Sequence, residues 1–314
     1  MTLNEALKHM SAQAEGAKTL TEADMPALHA ALLDILADLK ELCESYNIAW
    51  SLSAGNLLGA VRCGGFIPWD DDIDITMTRE DFDRLAEVLR SPTQEKADER
   101  VKAFLEKYKF RIPGDPGYLL HFPRLYKRGT AFREMLSTDE GDNELYVDIF
   151  LHDGIPEAGI RRKLHGCHCN LLLGMISASR VYRCRETLTR YCREDAAAKK
   201  EVMRRIRIGR LLSFRSLEGL IRHADRVFGK YKGQKTKDIA IISGARHYFG
   251  EVYERDQVCV YRPARFEDRE LPVPVGADYY LTRRYGSDYM TPPAAPDRDR
   301  RVLIDYRLQK VKEG

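Results

Sequence analysis

No run of the 314-residue sequence is apolar over a length that could cross a bilayer; the longest, such as Leu171 to Ala178, fall far short of the roughly 20 residues a spanning helix needs. The opening MTLNEALKHMSAQ lacks a basic stretch followed by an apolar one, so no secretory leader is expected and a cytoplasmic protein, at most peripheral to a membrane, is. Cysteine is sparse and odd in number. Cys43, Cys63, Cys167, Cys169, Cys184, Cys192 and Cys259 are scattered through the chain, which excludes a disulfide framework and suits a reducing compartment. Charge of one sign is lacking too, since 51 Lys and Arg against 48 Asp and Glu leave only +3. There is no internal repeat and no low-complexity tract, and 44% apolar residues are enough for a substantial core, which excludes a disordered chain.

The distribution of charge says more than its sum. Residues 161 to 240 carry 21 Lys and Arg against 7 Asp and Glu, a net of +14, so the rest of the chain holds −11. A basic half can meet phosphates or anionic lipid heads, while an acidic half can gather cations. Nucleic acid would be open to such a segment on charge alone, but no binding motif accompanies it and none is expected as a partner.

Apolar residues at three- and four-residue steps (Leu28, Leu32, Ile35, Leu39, Leu42) predict an amphipathic helix ending at Asn47. Ile48 to Ser53 then reads as a strand, broken at Gly55 and followed by a short apolar turn from Leu57 to Val61. Cys63 to Trp69 is a Gly- and Pro-punctuated loop into a strand from Asp70 to Met77, and Thr78 with Asp81 caps the helix after it. Charged Ser91 to Lys109 predicts helix and surface loop, with strands following at Tyr118 to Tyr126 and Leu145 to Leu151. Pro156 to Lys237 reads as helical, and the remainder as shorter pieces broken by proline.

The most informative run is Asp70-Asp71-Asp72-Ile73-Asp74-Ile75. On a strand, alternation would send Asp70, Asp72 and Asp74 to one face and Ile73 and Ile75 to the core. Clustered carboxylates repel unless a cation neutralises them, and hard oxygen donors suit Mg²⁺ or Mn²⁺. Asp148, set between Val147 and Ile149, supplies a third acid for one or two metals acting on a phosphate. Asp71 faces the other way, and Asp70 is an outer ligand. The Gly55-Asn56 turn offers backbone N–H groups at a helix start for a phosphate oxygen.

The segment Gly55 to Ile75, GNLLGAVRCGGFIPWDDDIDI, resembles the signature of the LicD family, which includes the fukutin-related proteins. The Tyr146 to Gly154 stretch, the Leu271-Pro272-Val273-Pro274 run and the Arg284 to Pro293 segment are similar to later family elements, so the likeness spans roughly residues 20 to 300. The resemblance implies an α/β (α+β) nucleotidyltransferase-like fold, a mixed sheet flanked by helices. It implies a catalytic core at 1–155, a basic helical region at 156–240 and a C-terminal segment at 241–314 that packs back on the core. It implies Gly55 with Asn56, Asp72 with Asp74, and Asp148 as the working set. The implied reaction moves a phosphorylated alcohol, phosphocholine or ribitol or glycerol phosphate, from a CDP-alcohol to a hydroxyl of a cell-surface glycan precursor. Asn56 stands where the family usually has Thr or Ser, which puts a phosphate contact there in question. A nucleotidyltransferase acting on an NTP, and a silent glycan- or membrane-binding module, are the alternatives.

Arg62, Arg124, Arg283 and Arg284 are candidates for gripping phosphate, and equally for structural ion pairs. Trp69, Tyr279, Tyr285 and Tyr289 could form an aromatic box for a quaternary ammonium, although their spacing fits core packing as well. His165, Cys167, His168 and Cys169, with Cys184 and Cys192 downstream, are zinc-ligand types, but neighbours on a helix diverge by about 100° and no C-x-x-C pair exists, so a structural role is expected. The basic segment is read as a face for a lipid-linked acceptor or the inner membrane leaflet.

Overall fold

The computed structural model describes residue 3 and residues 6–7, 18–90, 98–134, 136–137, 142–192, 195–294 and 301–308. β1 (Lys18–Thr19) leads into α1 (Met25–Ser45), whose Leu28, Leu32, Ile35, Leu39 and Leu42 are all buried, the face that the spacing requires. β2 is only Ser51–Leu52, shorter than the sequence predicts. The chain turns at once into α2 (Ala54–Arg62), a helix where a turn was expected, with Ala54 at φ 46° making the corner.

β3 comprises Asp74–Thr78, so the alternation expected from Asp70 onward does not apply to Asp70 and Asp72. The reason is local: Asp70 N bonds back to Ile67 O, His29 Nε2 meets Asp70 O at 2.7 Å, and Asn56 holds Asp72 O. Side chains thus take the place of a strand partner. α3 (Arg79–Arg90) is capped as predicted, with Thr78 Oγ1 accepting from Asp81 N at 3.1 Å and donating to the Asp81 carboxylate at 2.6 Å.

After α4 (Glu99–Lys107) comes β4 (Tyr108–Arg111), a strand in a segment whose charge suggested helix and loop; Tyr108 and Phe110 give it a buried face. β5 (Arg124–Lys127) starts later than expected, β6 (Ala131–Arg133) follows, and β7 (Leu145–Gly154) runs the full length of its apolar stretch. The helical region divides into α5 (Ile160–Arg183), α6 (Arg185–Tyr191), α7 (Ala196–Leu211) and α8 (Leu217–Phe228). The rest is β8 (Asp238–Ala240), α9 (His247–Gly250), β9 (Val252–Glu254), α10 (Arg255–Val258), β10 (Tyr261–Phe266), β11 (Arg269–Pro274), α11 (Ala277–Tyr285), β12 (Val302–Leu303) and β13 (Asp305–Arg307).

The main sheet runs β2-β3-β7-β5-β4, with β8 and β9 continuing from the far end of β7. Only β3 and β7 are parallel; every other pair is antiparallel, which makes the sheet mixed. β7 is the central strand and its residues are buried on both faces except Phe150, which is half-buried. One apolar cluster joins α1, the sheet and parts of the β10–β11 hairpin and α11. A second joins α5, α7 and α8 with Leu119, Ile155, Ile242 and Tyr248. The chain is therefore α/β with helices around a mixed sheet, as the sequence implies.

Candidate active site

The parallel pairing of β3 with β7 sets Asp74 and Asp148 at the same register, so their side chains leave the same face of the sheet side by side. The apolar neighbours Ile73, Ile75, Val147 and Ile149, all fully buried, hold that register. The acidic stretch before β3 is drawn over the start of α2. A Cβ on Gly55 would lie 2.6 Å from Asp70 Oδ2, so only glycine lets this carboxyl approach the helix start.

Asn56, 1% exposed, spends its side chain on the same stretch: Nδ2 donates to Asp72 O at 3.0 Å, and Oδ1 accepts from Asp74 N at 2.5 Å. It clamps the acidic backbone through both polar atoms of its amide. Tyr280 steadies the other side of the corner, its hydroxyl 3.0 Å from Ser53 Oγ and accepting from Ala54 N.

Burial and mutual repulsion favour the protonated forms of Asp70, Asp71, Asp74 and Asp148. Asp74 is pushed well up by burial and then by Asp72, Asp148 and Asp70, while Asp70 is pushed well up by burial, Asp72 and Asp71. Burial takes Asp71 and Asp148 to about 6 against the pull of Arg301 and Arg124 respectively.

Two arginines supply most of the opposing charge. Arg124, register partner of Asp148 across β5 and β7, grips its carboxylate with Nε and with Nη2 at 3.2 Å, and its guanidinium lies 3.4 Å above the Tyr146 ring. Arg301, just ahead of β12, places Nε 3.0 Å from Asp71, Nη2 2.5 Å from Asp72 and Nη1 on Tyr146 Oη. Glu134 lies between the two, 3.4 Å from Arg124 and 3.3 Å from Arg301. Burial would raise Glu134, but Arg301, Arg124 and Arg180 outweigh it and hold it down to about 2. Guanidinium groups thus supply part of the counter-charge to Asp72 and Asp148 that the sequence reading assigns to a metal.

Among the described residues no three His, Cys, Asp or Glu side chains close on one point as a finished metal cage. The donor chemistry nonetheless fits a hard divalent cation. Asp70 Oδ2 is buried without a hydrogen-bond partner, and the Asp74 carboxyl accepts no hydrogen bond from any described residue.

Of the other predicted residues, Arg284 pairs with buried Glu251 at 2.8 Å and also bears on Asp74, while Tyr285, 39% exposed, feels the charges of Asp74 and Asp70. Both therefore border the acidic cluster. Arg62 donates to Tyr289 O at 3.2 Å and lies 6.0 Å over the Trp69 ring, which groups Trp69 with Tyr289. Tyr279 instead accepts from Glu254 N and lies against Tyr253, with Arg283 above it, so it stands in a different cluster from Trp69. His165 and Cys169 point inward, His165 to Tyr248 Oη and Val227 O, while Cys167 and His168 are exposed, the divergence that a helix imposes.

Glu134 and Arg301 were missed by sequence reasoning. Arg301 sits in a charge-rich run, Asp297-Arg298-Asp299-Arg300-Arg301, in which nothing distinguishes one arginine from the next. Only the pairing of β12 with β1 brings it to the acids.

The family model described as LicD/FKTN/FKRP, nucleotidyltransferase domain, matches residues 47–153, the span that holds Gly55, the acidic run, Arg124 and Asp148. Over that span the chain is similar to the LicD family. The lipopolysaccharide cholinephosphotransferase LicD of Haemophilus influenzae is 27% identical over 279 residues, covering 85% of this chain and 91% of that protein. An uncharacterised protein of Rickettsia prowazekii is 30% identical over 128 residues, 40% of each chain, and one of Rickettsia typhi is 41% identical over 58 residues, 18% of this chain and 19% of that one. The matched span ends at the last residues of β7, so Arg301, Arg284 and Tyr285 reach its acids from outside it.

Proposed function

We propose that this protein transfers a phosphorylated alcohol from a CDP-alcohol to a hydroxyl of a glycan and releases CMP. The reading rests on the shared register of Asp74 and Asp148 beside Asp70 and Asp72, and it is supported by the Haemophilus relative's activity on lipopolysaccharide. Phosphocholine is the favoured cargo because that relative is a cholinephosphotransferase, and the proposed acceptor is a surface-glycan precursor in the cytoplasm.

In this reading the acceptor oxygen attacks the phosphorus that carries the alcohol, the bond to the CMP phosphate breaks, and Asp148 takes the hydroxyl proton. Arg124 orients the Asp148 carboxylate for that task. Asp72 and Asp74, with Asp70 behind them, would hold Mg²⁺ or Mn²⁺, which supplies charge neutralisation at the diphosphate. Arg284 and Tyr285 face the same cluster and would meet the donor phosphates or the alcohol; Arg62 and Trp69 would form the far wall.

The test is to incubate the protein with CDP-choline, CDP-ribitol, CDP-glycerol or each NTP, with Mg²⁺ and a glycan acceptor. CMP release supports the proposal. Pyrophosphate release would instead make it a nucleotidyltransferase.

A further inference from the structure

α5 is 24 residues long, and its inward side carries the second apolar cluster. Its outward side is not the polar surface such a helix usually shows. Ile160 is 69% exposed, Leu164 65% and Leu171 62%, and with exposed Cys167 they follow one another at steps of four, three and four residues along a single line of the helix. The same line continues to Ala178 and Tyr182. There Gly209 of α7 packs so closely that a Cβ would lie 2.4 Å from Ala178 O and 2.5 Å from Tyr182 Cβ.

The end of α7 therefore packs on the continuation of that line beyond Leu171, and it carries Leu211 and Phe214, 77% and 78% exposed. A soluble surface seldom gathers apolar side chains this large and this exposed.

The cations around the stripe are free. Arg161, Lys163, Arg207, Arg210 and Arg215 are exposed and make no ion pair with any described residue, whereas Arg204 and Arg205 nearby are tied to Glu201. At the stripe's first residue a cleft of about 580 Å³ opens between the start of α5 and residues 231–237, and Arg161, Lys235 and Lys237 line it. No helix among the described residues is long and apolar enough to cross a membrane.

We propose that the outer face of α5, with the end of α7, docks on a bilayer surface rich in anionic lipid. Leu164, Leu171, Leu211 and Phe214 enter the acyl boundary and the unpaired arginines meet headgroup phosphates. Charge complementarity selects this occupant: a second copy of the chain would set unpaired cation against unpaired cation. The inner side of the same helix carries Arg180, which donates to Leu136 O and lies in the field of Glu134 and Arg124. Docking thus holds the candidate active site beside the surface on which a lipid-linked acceptor would sit. The inference stands on the surface alone and does not require the proposed reaction.

The experiment is sedimentation of the full chain with vesicles of phosphatidylcholine alone and of phosphatidylcholine with phosphatidylglycerol. Expected is binding to the anionic vesicles about ten-fold or more above the neutral ones, weakened by salt. A Leu211→Ser, Phe214→Ser double variant and an Arg207→Glu, Arg210→Glu double variant should each lose most of that binding with circular dichroism unchanged. CMP release with a water-soluble acceptor should stay at the parent rate, so that failure of docking and failure of the reaction are separate results. No binding to either vesicle at low salt, equal binding by the variants, or a dimer of the parent chain that Leu211→Ser, Phe214→Ser dissolves would overturn the proposal.

Discussion

Arg301 Nη2 stands 2.5 Å from Asp72 Oδ2, a contact between residues 229 positions apart that fastens the C-terminal strand segment to the acidic stretch ahead of β3. Its Nε reaches Asp71 in the same grip, so one guanidinium balances two carboxylates, and at Asp71 it opposes the burial that favours the protonated form. A residue outside the span matched by the family model thereby decides how much negative charge that span presents.

Arg301→Ala should consequently act in opposite directions on two measurements. Without the arginine, Asp71 and Asp72 lose their counter-charge and chemical denaturation should show a loss of about 1–3 kcal/mol. Titration with Mn²⁺ should show binding about ten-fold tighter, about 1.4 kcal/mol, because a competitor for the same carboxylates has gone. Unchanged stability together with weaker Mn²⁺ binding would mean that Arg301 supports the cation site instead of competing with it.

Asn56 makes a different prediction. Replacing it with Ala removes both hydrogen bonds that hold the acidic backbone, leaving Asp74 N and Asp72 O unpaired in a buried setting. The expected loss is about 2 kcal/mol in denaturant unfolding. Asn56→Ser should fall between parent and Ala if one of the two bonds can be remade, and a Ser variant worse than Ala would contradict the clamp.

How far the sequence reached depended on which interactions are local. α1, the cap at Thr78 and the central β7 were legible because periodicity and short-range side-chain bonds decide them. The stretch from Asp70 to Ile73 was misread as strand because its backbone partners, His29 and Asn56, are far away in sequence. β4 was missed for a similar reason: Tyr108 and Phe110 are flanked by lysine and arginine, and only pairing with β5 reveals the strand. The acidic run is plain in the sequence, yet its pairing with Arg124 and Arg301 is not, since an arginine's partner is set by tertiary pairing that one sequence does not encode locally.

His152, 2% exposed, predicts the acid limb of stability. Burial depresses its imidazole from the usual value to about 3, with Arg255 adding to the effect, and its Nδ1 meets Cys259 Sγ at 3.3 Å. The unfolded chain takes up a proton near pH 6.5 that the folded chain refuses until about pH 3, so the stability from a neutral His152 is complete above about 6.5 and is lost as pH falls. Between pH 7 and pH 5 this residue should account for about 2 kcal/mol. His152→Gln should reduce the drop in unfolding free energy over that interval by a similar amount; an identical drop in both proteins would show that the imidazole titrates normally.

Asp74 carries the central claim, because it joins the acidic stretch to Asp148 by strand register alone. The most direct measurement is CMP released from a CDP-alcohol in the presence of Mg²⁺ and acceptor, compared between the parent protein and Asp74→Asn at matched folding. The account predicts release by the parent and a fall of about 10²-fold or more in the variant. Asp74→Asn turning over at the parent rate, or a parent protein that frees pyrophosphate from an NTP and no CMP from any CDP-alcohol, would contradict it.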